Sequence, residues 1–218
     1  MEGILNDHVV LITGASGRLG KVVTTSFENA GARVVRAETG EGDSVDLTDE
    51  RAVEAFFSTL QSGGLRLDAV VHTVGMWDGR PLTGTDLEHW KLVVDVNLTS
   101  TFLVFREALR LHERIGGDHD LRLIAFASGQ GADRGRSKQA AYSAGKAGVV
   151  RLVESVAEEY ADRNVSAHAI APSMILFEGM EDQKGIPVQD LANLCMLLAG
   201  SAGEALNGAV IRAYGTLT

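Results

Sequence analysis

Apolar positions along this chain fall into short continuous runs that alternate with longer stretches of helical periodicity. Continuous apolar runs of four to eight residues are typical of strands that are covered on both faces. Six such runs predict strands at residues 9–12, 32–36, 69–72, 121–127, 165–170 and 209–213. A further short strand is predicted around Val45.

Between these runs, apolar residues recur every three or four positions, which predicts helices. The predicted helices span residues 18–30, 49–60, 88–111, 139–160 and 188–198, and Thr48 or Asp49 is a suitable N-cap for the second. This alternation predicts an α/β fold, a Rossmann-like doubly wound parallel sheet in three αβα layers. Because no linker or internal repeat divides the chain, we expect one domain over residues 1–218.

A glycine-rich segment joins the first predicted strand to the first helix: Thr13-Gly14-Ala15-Ser16-Gly17-Arg18-Leu19-Gly20. Glycines here allow a tight turn and a close approach of backbone N–H groups to a pyrophosphate, which the helix N-terminus also attracts. An ordinary βα turn is the alternative. The position directly after a buried first strand favours a dinucleotide-binding loop.

Glu38 lies at the predicted end of the second strand, where the adenosine ribose of such a dinucleotide binds. A carboxylate at this point accepts hydrogen bonds from the ribose hydroxyls and repels a 2′-phosphate, which favours NAD. Arg18 and Arg36 oppose this preference, because either guanidinium could neutralise a phosphate. The choice between NAD and NADP therefore stays open, with NAD favoured.

Tyr142 and Lys146 lie four residues apart in the predicted helix 139–160, so both project from the same face. An ammonium within about 4–6 Å favours the phenolate and lowers the pKa of a phenol from ~10. Such a pair can act as an acid/base device at neutral pH. A surface tyrosine that happens to lie near a lysine is the alternative.

The net charge of −9 and a pI near 5.1 leave no basic face to neutralise the phosphates of a nucleic-acid backbone, so we expect no nucleic-acid partner. One cysteine, Cys195, excludes an internal disulfide and fits a cytoplasmic location. We expect no signal peptide and no membrane span, because no apolar run approaches about 18 residues. We also expect no metal site, since His112 and His119 lack the spacing of metal ligands.

Taken together, the motifs resemble the short-chain dehydrogenase/reductase family over nearly the whole chain. Tyr142 and Lys146 match its Tyr-x3-Lys motif, and the glycine segment is similar to its TGxxxGxG, with Arg18 in place of the middle glycine. Asn97 matches the asparagine of the family's Asn-Ser-Tyr-Lys tetrad. The remaining matches are Asp46 and Leu47 at the adenine contact, Gly75 after the third long strand run, Pro172 on the nicotinamide side and 207–211 as the final strand.

The resemblance implies hydride transfer between the nicotinamide of NAD or NADP and a small-molecule carbonyl or alcohol. Tyr142 would donate the proton during reduction, Lys146 would lower the pKa of Tyr142 and hold the nicotinamide ribose, and Asn97 would shape its helix for a water relay. The cofactor contacts implied are Gly14, Ser16, Gly17, Arg18, Leu19, Gly20, Glu38, Asp46, Leu47, Gly75, Lys146 and Pro172. The resemblance further implies a homodimer or homotetramer packed through the helices at 88–111 and 139–160.

The family's serine departs from its usual position. It normally stands 13 residues before the tyrosine, where this chain has Gly129, and Ser128 stands 14 before. Either the loop 130–139 carries one extra residue and Ser128 serves as the hydrogen-bond donor to the substrate oxygen, or that donor is missing. Together with His72-Thr73-Val74 in place of Asn-Asn-Ala, this leaves a second hypothesis open, a redox-inactive dinucleotide-binding sensor or partner subunit.

Overall fold

A computed structural model describes residues 5–38, 44–180 and 182–215 of the chain. Its strands, in chain order, are β1 Val9–Thr13, β2 Arg33–Ala37, β3 Ala69–His72, β4 Leu121–Phe126, β5 Val165–Pro172, β6 Ile175–Leu176, β7 Ile186–Pro187 and β8 Val210–Ala213. Six of these strands form one parallel sheet in the order β2-β1-β3-β4-β5-β8, and β6 pairs with β7.

Helices cover both faces of this sheet. They are α1 Arg18–Asn29, α2 Glu50–Ser62, α3 Leu87–Val94, α4 Ser100–Arg114, α5 Gly129–Asp133, α6 Ala140–Glu159, α7 Val188–Ala199 and α8 Ala202–Ala205. One apolar core packs α2, α4 and α6 against the sheet, and a second packs α1 and α7 against the other face. Alternate residues of each strand enter opposite cores, which explains why the strands are apolar on consecutive positions.

The predicted three-layer αβα sheet is therefore confirmed, with the six long strands in place. Two predictions of local structure are wrong. Helix 88–111 is not continuous, because a π-helical turn, Asp95–Thr99, separates α3 from α4. At this turn the Asn97 side chain donates to the carbonyl oxygen of Val93 at 2.9 Å, a carbonyl that a regular helix uses for its own backbone ladder.

The predicted strand at Val45 is also wrong, because the described residues 44–48 form no strand. The Val45 N–H donates to the Glu38 carbonyl oxygen at 2.8 Å, and the side chains of Val45 and Leu47 are buried beside α2. Their apolar character therefore reflects packing under a helix and not membership of the sheet. Residues 39–43, between β2 and Val45, lie outside the described part. No helix within the described ranges combines the length and apolarity needed to cross a membrane.

Asp49 is the residue that caps α2. Its carboxylate accepts hydrogen bonds from the backbone N–H groups of Arg51 at 2.8 Å and Ala52 at 3.2 Å. These groups begin the helix and have no partner within it.

We expect Asp49→Ala to lower the free energy of unfolding by about 1 kcal/mol, because the two N–H groups lose their acceptor. Urea denaturation monitored by circular dichroism measures this change. Arg51→Ala, an exposed substitution one residue into the same helix, is the control and should leave the free energy nearly unchanged. An equal loss in both variants would contradict a capping role.

Candidate active site

Five of the predicted site residues follow neighbouring strands at one edge of the sheet. In spatial order they are Glu38 after β2, Gly14 after β1, Gly75 after β3, Ser128 after β4 and Pro172 at the end of β5. Because β2 and β3 lie on opposite sides of β1, the chain reverses direction at this edge, and a crevice forms there. Ligands of open α/β sheets bind in such crevices.

The glycine turn between β1 and α1 leaves no room for a side chain at Gly14 or Gly20. Gly14 has φ +69°, and a Cβ on Gly20 would stand 2.0 Å from the Gly14 carbonyl oxygen. Gly17 is the N-cap of α1 and offers no side-chain acceptor to the first-turn N–H groups. These N–H groups and the tight turn therefore fit a pyrophosphate.

Ser16, Arg18 and Leu19 differ in their exposure at this turn. Ser16 and Arg18 are exposed, and Leu19 is half-buried. The Arg18 guanidinium stacks over the Phe177 ring, 3.9 Å from its centroid. Arg18 thereby connects the glycine turn to the segment between β6 and β7.

At the predicted adenosine end of the crevice, a cavity of about 390 Å³ opens beside Glu38. Its other lining residues include Ser16, Lys21, Glu28 and Arg36. The Arg36 guanidinium forms an ion pair with Glu28. The positive charge of Arg36 is therefore already engaged within the chain.

Of the two residues predicted to contact adenine, Asp46 has an exposed side chain and Leu47 a buried one. Asp46 is exposed and accepts hydrogen bonds from the Thr48 hydroxyl at 2.6 Å and from its N–H at 2.9 Å. These bonds lower the pKa of Asp46. Leu47 is buried in the core, so only its backbone is left to face a ligand.

Asn97 forms two hydrogen bonds with the segment that follows β3. Its amide nitrogen donates to the Met76 carbonyl oxygen at 2.9 Å, and its Oδ1 accepts from the Met76 N–H at 3.2 Å. The side chain is fully buried. The π-helical turn thus presents an amide that fixes the backbone next to Gly75.

Lys146 is buried in the floor of the crevice. Its Nζ donates to the Phe126 carbonyl oxygen at 2.8 Å, and no carboxylate in the described residues forms an ion pair with it. A Cβ on Gly75 would stand 3.0 Å from this Nζ and 3.1 Å from the Asn97 Oδ1. Glycine at position 75 therefore keeps open the space above the ammonium. Burial lowers the pKa of Lys146 to about 8.

Tyr142 lies one turn before Lys146 and is half-buried. Burial raises the pKa of its phenol, and a hydrogen bond with the Ser128 side chain opposes this rise. The predicted lowering of this pKa by Lys146 does not occur in this structure, where Lys146 donates its hydrogen bond to the Phe126 carbonyl. Ser128, and not Gly129, is the residue that reaches Tyr142.

The helix α5 explains how Ser128 reaches Tyr142 from one position too early in the sequence. Ser128 is its N-cap, and the Ser128 Oγ accepts a hydrogen bond from the Gly131 N–H at 3.4 Å. The five residues of α5 coil within the loop and absorb its additional residue. Gly129 faces elsewhere, because a Cβ there would stand 2.4 Å from Cε1 of Tyr214.

His72 is a structural member of the site that the sequence marked only as a departure from the family pattern. Ser100 donates its hydroxyl proton to the Val96 carbonyl oxygen at 2.7 Å, so its oxygen accepts from the His72 Nε2 at 3.1 Å. His72 Nδ1 is then left to accept from the Thr13 hydroxyl at 2.8 Å. This chain of bonds ties β1 and β3 to the start of α4. Burial, with the charge of Lys146 as a smaller cause, lowers the pKa of His72 to about 3.

Several large or charged side chains after β3, β4 and β5 are exposed to solvent. Trp77 is 68% exposed and Met174 is 51% exposed. Arg134 and Arg136 are exposed and form no ion pair within the described part of the chain. No cluster of three or more histidine, cysteine or acidic side chains in the described residues is arranged to hold a metal ion.

Comparisons with known proteins agree with this geometry. A family model described as short chain dehydrogenase matches residues 8–185. A 3-oxoacyl-acyl-carrier-protein reductase of Synechocystis sp. is 31% identical, with 84% of this chain and 81% of that protein covered. A 3beta-hydroxysteroid dehydrogenase of Mediterraneibacter gnavus is also 31% identical, with coverages of 78% and 67%. The crystal structure of a short chain dehydrogenase from Mycobacterium smegmatis has a TM-score of 0.87 at 26% identity, with coverages of 100% and 96%.

The neutral state of His72 predicts an acid-sensitive fold. Below its ordinary pKa of 6.5 the imidazole gains a proton in the unfolded chain, whereas in the folded chain it stays neutral down to about pH 3. Since the unfolded state then binds more protons, the free energy of unfolding falls as the pH falls, by about 1.4 kcal/mol per pH unit from this group. Urea denaturation between pH 7 and pH 4.5 measures this slope.

We expect His72→Asn to have a shallower slope by that amount, because the amide does not titrate. His168, whose pKa burial lowers to about 4, contributes equally to the wild type and the variant. His8→Asn, at the start of β1, is the control. Identical slopes in the wild type and in His72→Asn would show that the imidazole is not held neutral.

Proposed function

This chain belongs to the short-chain dehydrogenase/reductase family and is an NAD(P)-dependent oxidoreductase, and we propose that its substrate is a small-molecule carbonyl or alcohol. In this proposal Tyr142, Lys146 and Ser128 are the catalytic residues, and Asn97 positions them. The observation that carries the proposal is the buried Lys146 ammonium, which has no carboxylate partner within the described residues. Burying an unpaired charge is costly, and such groups cluster at functional sites.

The crevice fits a nicotinamide dinucleotide at both of its ends. The glycine turn, through Gly14, Ser16, Gly17, Arg18, Leu19 and Gly20, would hold the pyrophosphate, and Asp46 with the Leu47 backbone would lie beside adenine. Gly75, Pro172 and Lys146 would border the nicotinamide and its ribose, in the space that a Cβ on Gly75 would fill. When bound, this cofactor supplies or accepts the hydride.

The chain itself handles the proton. Burial raises the pKa of Tyr142, so the phenol holds its proton at neutral pH and can give it to a carbonyl oxygen during reduction. The Ser128 hydroxyl, which hydrogen-bonds the phenol here, would turn its single proton to the substrate oxygen as negative charge develops there. Lys146, whose pKa is about 8, is mostly an ammonium at pH 7, and in this proposal it holds the nicotinamide ribose.

For the cofactor we propose NAD over NADP. Glu38 borders the cavity beside the glycine turn. There its carboxylate would accept a hydrogen bond from a ribose hydroxyl and would repel a 2′-phosphate. The two arginines that could neutralise a phosphate have other partners, Arg36 with Glu28 and Arg18 with the Phe177 ring.

The proposal also includes one domain over residues 1–218, a cytoplasmic location and a homodimer or homotetramer. Leu87, Leu92 and Phe102 support the assembly, because these large apolar side chains are 67%, 49% and 42% exposed on α3 and α4. The alternative of a redox-inactive sensor has no support, since a site that only binds the cofactor does not need a serine, a tyrosine and a buried lysine gathered at its nicotinamide end.

Tyr142→Phe should lower kcat for carbonyl reduction by roughly 10²–10⁴-fold, because the phenol supplies the proton. Cofactor affinity, measured by calorimetry, should change little. Tyr160→Phe, at the end of the same helix, is the matched control and should keep full turnover. Turnover retained in Tyr142→Phe would remove the phenol from the mechanism, and a wild type that binds cofactor without turning over any carbonyl would favour the sensor.

Glu38→Gln should lower the preference for NAD over NADP by at least about tenfold in kcat/KM, the effect of losing one charged interaction of about 1.4 kcal/mol. Steady-state assays with each cofactor measure the ratio. The matched control is Glu159→Gln, which removes an exposed acid at the far end of α6. An unchanged ratio would show that Glu38 does not select the cofactor.

A further inference from the structure

The end of β8 and the end of α5 are joined by a three-residue network that the reaction chemistry does not use. The Arg212 guanidinium forms a bidentate pair with the Asp133 carboxylate, with N–O distances of 2.9 to 3.2 Å. The Tyr214 hydroxyl donates to the second carboxylate oxygen at 2.5 Å. These hydrogen bonds lower the pKa of Asp133, so its carboxylate stays ionised well below neutral pH.

Tyr214 also contacts the other end of α5. A Cβ on Gly129 would stand 2.4 Å from Cε1 of the Tyr214 ring and 3.2 Å from the Pro172 carbonyl oxygen. The Tyr214 carbonyl oxygen accepts a hydrogen bond from the Ser173 hydroxyl at 2.8 Å. The tyrosine is therefore anchored to the end of β5 while its ring lies against the first residue of α5.

On its opposite side, α5 touches the turn of α6 that carries the proposed catalytic residues. A Cβ on Gly131 would stand 3.2 Å from the Lys146 Cβ and 3.5 Å from Cε1 of Tyr142. The helix α5 is thus held between Tyr214 and α6. A helix of five residues is not stable alone, so these contacts decide where it lies.

Ser128 depends on this arrangement because it is the N-cap of α5. If α5 shifts, the N–H group that the Ser128 hydroxyl caps shifts with it, and the hydroxyl leaves its position against Tyr142. We propose that Asp133, Arg212 and Tyr214 are positioning residues that hold the Ser128 hydroxyl in place for catalysis. This inference rests on the proposed function.

The network lies at the surface, where Asp133 and Arg212 have side-chain exposures of 32% and 57%. Exposed ion pairs contribute little to global stability. Its loss should therefore leave the protein folded and affect α5 locally. A local effect on α5 in a protein that stays folded would distinguish a positioning role from a general structural role.

The first test is hydrogen exchange by mass spectrometry on the full chain without substrate. Asp133→Asn and Tyr214→Phe should raise the exchange rate of the backbone amides at residues 129–133 at least severalfold. Glu50→Gln is the matched control, because it removes a surface ion pair of similar length, 2.6 Å to Arg106, between α2 and α4. Unchanged exchange at 129–133 would overturn the proposal whether or not the protein is an active enzyme.

The second test is a double-mutant cycle with Ser128→Ala. Asp133→Asn should lower kcat about tenfold in the wild type, part of the roughly 10²–10³-fold that a missing transition-state donor costs. In the Ser128→Ala background it should have no further effect on kcat. An equal loss in both backgrounds would overturn the proposal, since the network would then act on something other than Ser128.

The third readout is the pH profile of alcohol oxidation, in which Tyr142 accepts the proton. Because the Ser128 hydrogen bond lowers the pKa of Tyr142, Asp133→Asn should move the midpoint of the profile to higher pH. An unmoved midpoint in a variant with reduced kcat would count against the proposal. A wild type without turnover on any carbonyl or alcohol would instead reject the proposed function, while raised exchange at 129–133 would still show that the network holds α5.

Discussion

The proposed active site depends on the buried ammonium of Lys146. The charge lies in the protein interior with one backbone carbonyl as its hydrogen-bond partner, and burial lowers its pKa to about 8. Three neighbours lie close to it or share its burial: His72, which is neutral mainly because it is buried, Asn97, which is hydrogen-bonded to Met76, and Gly75, where a Cβ would stand 3.0 Å from the ammonium. Burying an unpaired charge is costly, and groups of this kind cluster at functional sites.

A second constraint is that the site is assembled from the ends of parallel strands. Each strand delivers one group to the same edge, and the order β2-β1-β3-β4-β5 places these groups in a row along it. The sheet provides the rigid spacing, while short local structures adjust single groups. The π-helical turn aims Asn97, and α5 brings Ser128 to Tyr142. Both departures from regular structure thus occur at the proposed catalytic groups, as π-helical turns commonly do.

The contacts around α5 connect the reacting groups to the end of the chain. Gly131 packs on the Tyr142 turn, Gly129 packs under the Tyr214 ring, and Asp133 pairs with Arg212. Gly215 extends the same connection, since a Cβ there would stand 2.0 Å from the Gly185 carbonyl oxygen. The residues that follow β8 therefore contact both α5 and the segment before β7.

The sequence by itself determined the αβα sheet, the glycine turn and the placement of Tyr142 and Lys146 one turn apart on a helix, because each depends on periodicity or on spacing within one element. It could not decide between Ser128 and a missing donor, since the loop's coiling into α5 depends on packing. It predicted a strand at Val45, because burial under a helix and burial in a sheet leave the same apolar pattern. The roles of His72 and Asp133 also required the tertiary structure. Their partners Thr13 and Arg212 are 59 and 79 residues away, and contacts between such distant side chains leave no periodic signal.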